Sequence, residues 1–505
     1  MLTTSRGPWG VSMDSKPEAL APELSNSARR IDTRKLNSVP WDHSGKHPGS
    51  IIVWWLFRAM ISIGHRIIFR NSKADEVPDI GGGRISVSTH INGLVDPLVI
   101  VHSQHRRFTA LGRHDLVTRP ILGWWTRGLG IQPILRKAET DEGITNSDFA
   151  GEINRRSMLT VSNCISNGYS AVVFPEGTSH QDSVLHGFKT GPFRTVFAAA
   201  ALAELRNLPQ PHLQPAGLHW RNHTKFRTDH HVEYLDPIPI PNPYSQEQAQ
   251  ILLNGEWVEP PKSQVIAMRD SVYSILKDAT PDSPDWETYR AWVFMAHRKS
   301  KTPIVDLHQE VLETREMRQQ WREGNIPQEL FENASNAAKI LHDHDLDARD
   351  LTVEGQLIRK RKSIFSLILG ASLMLIAMPV FALSTFPQAI LAWWLGDRTD
   401  EGIDARTTYH LMAAMFSLPL FWPIIGIIWT LSAVLFYDLP PLFTPLFFVA
   451  LFPIFYLAAI LTALGYDLVT DFRRDRRRAA LIHSKSSRTL YDSTNSVDEY
   501  LVALK

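Results

Sequence analysis

Ser88–Leu98 reads STHINGLVDPL. Arg84–Thr89 is β-rich and alternating, which puts His90 at the end of a strand. Gly93 permits a sharp turn, and Asp96–Pro97 has the form of a helix start, with aspartate as N-cap and proline at the first helical position. Strand, turn, helix is the unit from which α/β sheets are built. About eighty residues later Ala171–His180 reads AVVFPEGTSH, a buried strand over Tyr169–Phe174 that leaves through an acidic glycine turn. Short strands are predicted at Phe108–Leu111, Ile131–Leu135, His212–Leu218 and His231–Ile240, and helices at Pro120–Leu129, Asp148–Asn167 and Pro192–Leu205. This alternation over Arg84–Pro241 predicts an α/β fold with a mostly parallel sheet flanked by helices.

The 505 residues divide sharply by composition. Residues 1–47 read as a disordered tail, 48–72 as an interfacial membrane helix and 73–243 as the α/β domain. Residues 244–358 read as a helical region, 359–470 as a transmembrane region and 471–505 as a basic C-terminal tail. A formal net charge of +1 argues against nucleic-acid binding, which needs a basic face to neutralise phosphates. One cysteine, Cys164, excludes an internal disulfide and a multi-cysteine metal site.

Ile51–Phe69 is apolar but interrupted by Arg58, His65 and Arg66. An arginine at the centre of a span costs at least about 2.5–3.5 kcal/mol, so this segment is expected to lie in the interface with its cations among headgroups. Ile364–Leu383, Leu411–Phe436 and Leu442–Tyr466 are nearly uncharged over the length a bilayer core requires. Pro419, Pro423, Pro440, Pro441, Pro445 and Pro453 predict kinks and turns in the last two, leaving two or three crossings. Basic Arg359–Lys362 and Arg473–Arg478 flank the set and favour a cytoplasmic catalytic domain on an integral membrane protein.

Forming an ester from an alcohol and a thioester requires removal of the hydroxyl proton as the oxygen attacks. Histidine is the usual base, and a carboxylate on its second nitrogen fixes the tautomer. His90 and Asp96 offer that pair. Glu176 offers acceptors to a polar substrate, Gly177 lets backbone approach it, and Thr178, Ser179 and His180 add donors. Each motif alone is also compatible with an ordinary turn. Gly81–Gly83 precedes a strand and so is a loop, and His342–Asp345 (HDHD) reads as a solvated loop. The pairs Trp124–Trp125 and Trp393–Trp394 suit interfacial or core positions.

Taken together, the motifs resemble those of the glycerolipid (lysophospholipid) acyltransferase superfamily, which carries His-x4-Asp and a downstream FPEG. Here five residues, not four, separate His90 from Asp96. That spacing, with HINGLVDP and the serine–histidine after the glycine turn, is similar to glycerol-3-phosphate/dihydroxyacetone phosphate acyltransferases of fungal type and their bacterial relatives. The resemblance extends through Thr280–Lys299, Asn325–Asp347 and the C-terminal apolar region. It implies His90 and Asp96 as catalytic. It also implies substrate-binding roles for Glu176, Gly177, Thr178 and His180, for Arg136 in GIQPILR and for Lys189 in HGFKTG. Leu213–Gly217 (LQPAG) is implied as a lining block. Ser179 replaces the arginine usual in the lysophosphatidate enzymes, which leaves His180 and Lys189 as the candidate phosphate contacts.

The implied activity is transfer of a fatty acyl group to glycerol 3-phosphate or dihydroxyacetone phosphate in phospholipid biosynthesis. No metal and no cofactor is implied; acyl-CoA or acyl carrier protein thioester is the co-substrate. The implied partners are the glycerol-phosphate acceptor, the acyl donor and the lipid bilayer. The alternatives are a lysophosphatidate or other lysophospholipid acyltransferase and a non-catalytic lipid-binding scaffold. Retention of His90, Asp96, Glu176 and Gly177 together weighs against the scaffold.

Overall fold

The computed structural model describes residues 24, 26, 28–39, 41, 43–222, 225–359, 364–396 and 404–503. Residues 1–23 of the expected tail and most of Arg359–Lys362 lie outside them. The strands are β1 (Phe69–Ala74), β2 (Arg84–Ser88), β3 (Phe108–Arg113), β4 (Gln132–Ile134), β5 (Ser170–Val173), β6 (His212–Trp220), β7 (Thr228–Tyr234) and β8 (Ile238–Pro239). They form one eight-stranded sheet in the order β1-β7-β6-β2-β5-β3-β4, with β8 beside β6. All pairs are parallel except β6–β7 and β6–β8. The expected strand His231–Ile240 is thus two strands, interrupted at Leu235–Pro237, both running antiparallel to β6.

Parallel strands buried on both faces need apolar side chains in both directions. Ile85, Val87, Ala171 and Val173 point into one layer with Leu159, Phe193 and Phe197 of the Ser147–Ser166 and Gly191–Leu205 helices. Val172, Ala216 and Leu218 point into the other, against Val95 and Val99 of the Val95–Ser103 helix and Trp54 and Phe57 of the Ile51–Ile68 helix. Edge strand β1 (FRNSKA) is exposed at every residue but Phe69, the polar edge that resists unwanted pairing. The glycine run before β2 serves close packing: a Cβ on Gly82 would overlap the Gln210 carbonyl, and one on Gly83 the Ile165 carbonyl.

Part of the expected N-terminal tail is ordered. Leu36, from the short Thr33–Asn37 helix, packs on Leu135, Ala150 and Ile153, with Ile31 and Trp41 beside it. The Ile51–Ile68 helix also departs from expectation. Val53, Trp54, Phe57, Met60 and Ile61 are buried in the domain, while Ile51, Ile52 and Trp55 are exposed near its start. Arg58 does not reach for headgroups. It donates to the carbonyls of Val101, His102 and Gln104 at 2.7, 3.2 and 2.8 Å, at the C-terminus of the Val95–Ser103 helix. There the helix dipole and the orphan carbonyls favour a cation.

Among the described residues, four helices are long and apolar enough to cross a membrane: Ile51–Ile68, Ile364–Ser384, Ser417–Tyr437 and Thr444–Ile482. The first is half covered by protein. The other three expose Ile368, Ile376, Leu435, Phe436, Leu446 and Val449 among others, surface that water would not tolerate at this extent. Of the prolines expected to bring kinks and turns, Pro440 and Pro441 form the connecting turn, while Pro419 sits in a π-helical stretch, Pro423 and Pro445 in first turns and Pro453 inside a continuous helix. The apolar run from Leu411 is broken, because the Asp404–Met415 helix ends there and packs through Leu411, Ala414 and Met415 on the Ile51–Ile68 helix.

Within the expected tail 471–505, the described residues to 503 are two packed helices rather than a tail. Thr444–Ile482 is one helix of 39 residues, about 58 Å long at 1.5 Å per residue. Its basic run is answered within the protein. Arg474 donates to Asp350 and Asp347 at 2.8 Å each, Arg477 lies 3.3 Å from Asp345, and Arg478 pairs with Asp475. The following Ser486–Ala503 helix buries Leu490, Val497 and Leu501 against Trp292, Ala334, Ala337 and Leu341 of the helical region. Those three residues recur at helical spacing, a stripe the local polarity conceals.

Candidate active site

β2 and β5 are parallel neighbours, with Val87 beside Val173. Their C-terminal ends therefore release the two motif loops side by side, where α/β sheets bind ligands. The main chains are joined directly, His180 N–H donating to the His90 carbonyl at 3.0 Å. Gln181 Nε2 donates to the Ile91 carbonyl at 2.9 Å.

His90 Nδ1 lies 3.0 Å from Asp96 Oδ2. The same oxygen accepts from the main-chain N–H groups of Ile91 and Asn92, both at 2.7 Å. Asp96 is fully buried. It is not an N-cap as expected: the helix begins at Val95, and the carboxylate turns back to gather the preceding loop. That loop bond fixes the Nδ1–H tautomer and leaves Nε2 as the nitrogen able to take a proton. The imidazole stacks on Phe174, ring centroids 4.3 Å apart and planes within 20°. Its side chain is 19% exposed, so one edge is open.

Glu176 is fully buried, and both oxygens meet donors of the protein itself. Oε1 accepts from Thr89 Oγ1 at 2.8 Å and His90 N–H at 3.1 Å. Oε2 pairs with His180 Nε2 and takes a longer bond, 3.4 Å, from His186 N–H. The carboxylate expected to hold an acceptor hydroxyl thus holds the His90 loop. Burial lowers the His180 pKa, but the hydrogen bond and charge of Glu176 outweigh it, and the net shift is upward. His180 Nδ1 accepts from Asp182 N–H at 3.2 Å, and Asp182 Oδ2 meets His186 Nε2 at 2.8 Å. Gln181, Asp182 and His186 were not among the expected site residues; only their proximity to the FPEG turn signals them.

Gly177 adopts φ +79°, and a Cβ there would sit 2.9 Å from Lys189 Cδ. Lys189 N–H donates to the Pro175 carbonyl at 2.7 Å, which brings its side chain over the turn. Its pKa is lowered, first by burial and then by the positive charge of Arg136. Lys189 Nζ has no ion pair among the described residues. Arg136 sits near it, at the mouth of β4, with Nε and a terminal nitrogen on Glu139 Oε1 at 3.0 and 2.8 Å. Lys189 thus lies over the Gly177 turn and feels the positive charge of Arg136, two cations whose proximity suits an anion. Thr178 is half-buried in the turn. Leu213–Gly217 lies in β6; Ser88 Oγ donates to the Ala216 carbonyl at 2.7 Å, and Gly217 faces His219 and Glu233 rather than His90. Arg113, ending β3, and Arg119 both pair with Asp115 at 2.8 and 2.9 Å. Cys164 is buried in its helix, away from any role as a nucleophile.

Leu94 N–H donates to Thr408 Oγ1 at 3.0 Å, so the His90 turn touches the Asp404–Met415 helix of the apolar region. Residues 66–218 match the family model described as Acyltransferase. No curated protein matches the chain. Among solved structures, the chain is similar to the crystal structure of the 1-acyl-sn-glycerophosphate (LPA) acyltransferase PlsC from Thermotoga maritima. The two share 15% identity over 45% of this chain and 78% of that one, with a TM-score of 0.29.

Proposed function

Starting from an acyltransferase domain at residues 66–218, we propose that this chain is a membrane-bound O-acyltransferase of phospholipid biosynthesis. It moves a fatty acyl group from a CoA or carrier-protein thioester to glycerol 3-phosphate or dihydroxyacetone phosphate. The observation that carries the reading is the His90–Asp96 pair with its partly exposed imidazole, on a loop joined through Glu176 to the turn that Lys189 covers.

His90 Nε2 takes the proton of the acceptor hydroxyl as its oxygen attacks the thioester carbonyl. The buried Asp96 carboxylate stabilises the imidazolium. The tetrahedral intermediate collapses with cleavage of the carbon–sulfur bond, and the imidazolium returns the proton to the departing thiolate. The products are an ester and a free thiol, with no acyl-enzyme. Lys189 and Arg136 take the acceptor phosphate, and Glu176 holds the His90 main chain in place. The five-residue spacing in the His90 turn favours a glycerol-phosphate acceptor over lysophosphatidate. The apolar helices set the domain on a bilayer, and the flanking basic residues favour its cytoplasmic face.

The test is purified full-length protein in detergent with labelled acyl-CoA, offered glycerol 3-phosphate, dihydroxyacetone phosphate and lysophosphatidate in parallel. Acylation of either of the first two, lost in His90→Ala with the circular dichroism spectrum kept, is the expected result. Preference for lysophosphatidate overturns the acceptor assignment. Activity surviving in His90→Ala overturns the mechanism.

A further inference from the structure

Away from the catalytic turn, the polar edge of the sheet meets the helical region at a cluster of ligand-bearing side chains. Asp75 directly follows β1, His231 lies in β7, and His308 sits in the first turn of the Leu307–Arg322 helix. Asp75 Oδ1 lies 2.8 Å from His231 Nε2 and 3.5 Å from His308 Nδ1. The two imidazoles stack, with centroids 4.3 Å apart.

These separations suit a shared ion. A tetrahedral centre with bonds of about 2.0–2.1 Å places its ligand atoms about 3.3 Å apart, between the two distances found. Two imidazole nitrogens and one carboxylate oxygen are a donor set for a divalent transition cation, zinc above all, rather than for calcium or magnesium, which prefer all-oxygen shells. The three atoms converge from three separate elements, and no main-chain donor falls on any of them. The other carboxylate oxygen, Oδ2, takes the Tyr234 N–H at 3.2 Å, which orients Oδ1 inward. His308 Nε2 finds no hydrogen-bond partner but lies 3.8 Å from Glu233 Oε1. At that distance Glu233 is an electrostatic neighbour rather than a hydrogen-bonded partner, its Oε1 already accepting from Arg315 at 2.8 Å. His231 is buried, whereas Asp75 and His308 are 28% and 25% exposed, which leaves an entry path and room for a water.

A second trio, His180, Asp182 and His186 after the FPEG turn, provides the contrast. There His180 has both ring nitrogens engaged, by Glu176 and by the Asp182 main chain, so it has no nitrogen to offer.

We propose that Asp75, His231 and His308 form a binding site for a divalent transition cation, which ties the edge of the acyltransferase sheet to the helical region. The site is structural and independent of the acceptor assignment. A bound ion links chain segments more than two hundred residues apart, so its affinity for the folded state adds directly to stability.

The test uses the full chain in detergent, stripped with a chelator, loaded with Zn(II) and desalted, with bound metal counted by mass spectrometry. The expected result is about one zinc per chain, a melting temperature above that of the stripped protein, and loss of both in Asp75→Asn and His308→Ala. Asp182→Asn should keep the zinc. Co(II) loaded into the wild-type chain should give the visible absorption of a tetrahedral nitrogen–oxygen site, which stands even if a variant does not fold. No retained zinc and no such band in the wild-type chain overturns the proposal. So does zinc retained by His308→Ala, or zinc lost only in Asp182→Asn.

Discussion

Replacing Glu176 by glutamine distinguishes a carboxylate that positions the catalytic loop from one that binds the acceptor. Glutamine keeps one acceptor oxygen, which can continue to serve Thr89 Oγ1 and His90 N–H, now at 2.8 and 3.1 Å. Its NH2 group then replaces Oε2 and faces His180 Nε2 and His186 N–H. His180 cannot relieve the clash by changing tautomer, because its Nδ1 already accepts from Asp182 N–H. Two donors confront a third in a fully buried pocket. The lost charge-assisted bond and the stranded donor together cost about 3–5 kcal/mol. If the side chain flips, Thr89 Oγ1 can rotate to accept from the NH2, but the His90 N–H is left facing a donor, so neither orientation is free of mismatch. The displaced loop carries His90 out of line, and a misplacement of about 1 Å costs on the order of a hundredfold in turnover. The assay pairs thermal unfolding in detergent with steady-state acyl transfer. The expected outcome is a lowered melting temperature and a collapsed kcat, with the acceptor KM little changed. A variant as stable as wild type whose only defect is a raised acceptor KM would refute the reasoning.

Arg227→Ala should destabilise by about 3–5 kcal/mol: it strands the largely buried Asp467, which Arg227 meets while also donating to the Arg66, Ile67 and Phe69 carbonyls. Thermal unfolding checks it, and Asp467→Asn should cost less. Gly177→Ala forces an L-residue into φ +79° and presses on Lys189; about 1–2 kcal/mol of strain should appear with a raised KM for the phosphate-bearing acceptor. His47 supplies an acid-labile point. Burial pushes its pKa down to about 4, and its Nδ1 accepts from Gly49 N–H and Arg107 while Nε2–H donates to the Phe108 carbonyl. The unfolded chain takes a proton below about pH 6.5 that the folded one refuses, so stability should fall from there toward pH 4. His47→Gln should flatten that slope in melting curves recorded against pH.

The β2 and β5 strands and the helices around them were legible because buried parallel strands write themselves as apolar runs bounded by turn residues. Motif order and spacing then placed His90 and Glu176 on adjacent loops. What Glu176 does there was not legible: accepting from substrate and accepting from Thr89 and His180 leave the same residue in the same turn. β1 was hidden because FRNSKA is a polar edge without alternation. The Ser486–Ala503 helix was hidden because Leu490, Val497 and Leu501 are spaced among charges. Arg58 misled for a related reason. A cation in an apolar run signals headgroups only when no helix C-terminus lies nearby, and the Val95–Ser103 helix is forty residues away in sequence.

The Thr444–Ile482 helix has a mechanical consequence. One half exposes apolar side chains and the other is pinned to the helical region through Arg474, Asp347 and Asp350. Arg227 and Asp467 fasten its middle to the β6–β7 turn. A rod clamped at two heights cannot pivot, so the catalytic body neither tumbles nor lifts from the surface on which the rod stands. With the apolar half standing in a bilayer, as proposed, His90 would keep a constant altitude above the lipid, and an acyl chain diffusing in that plane would have only two dimensions to search.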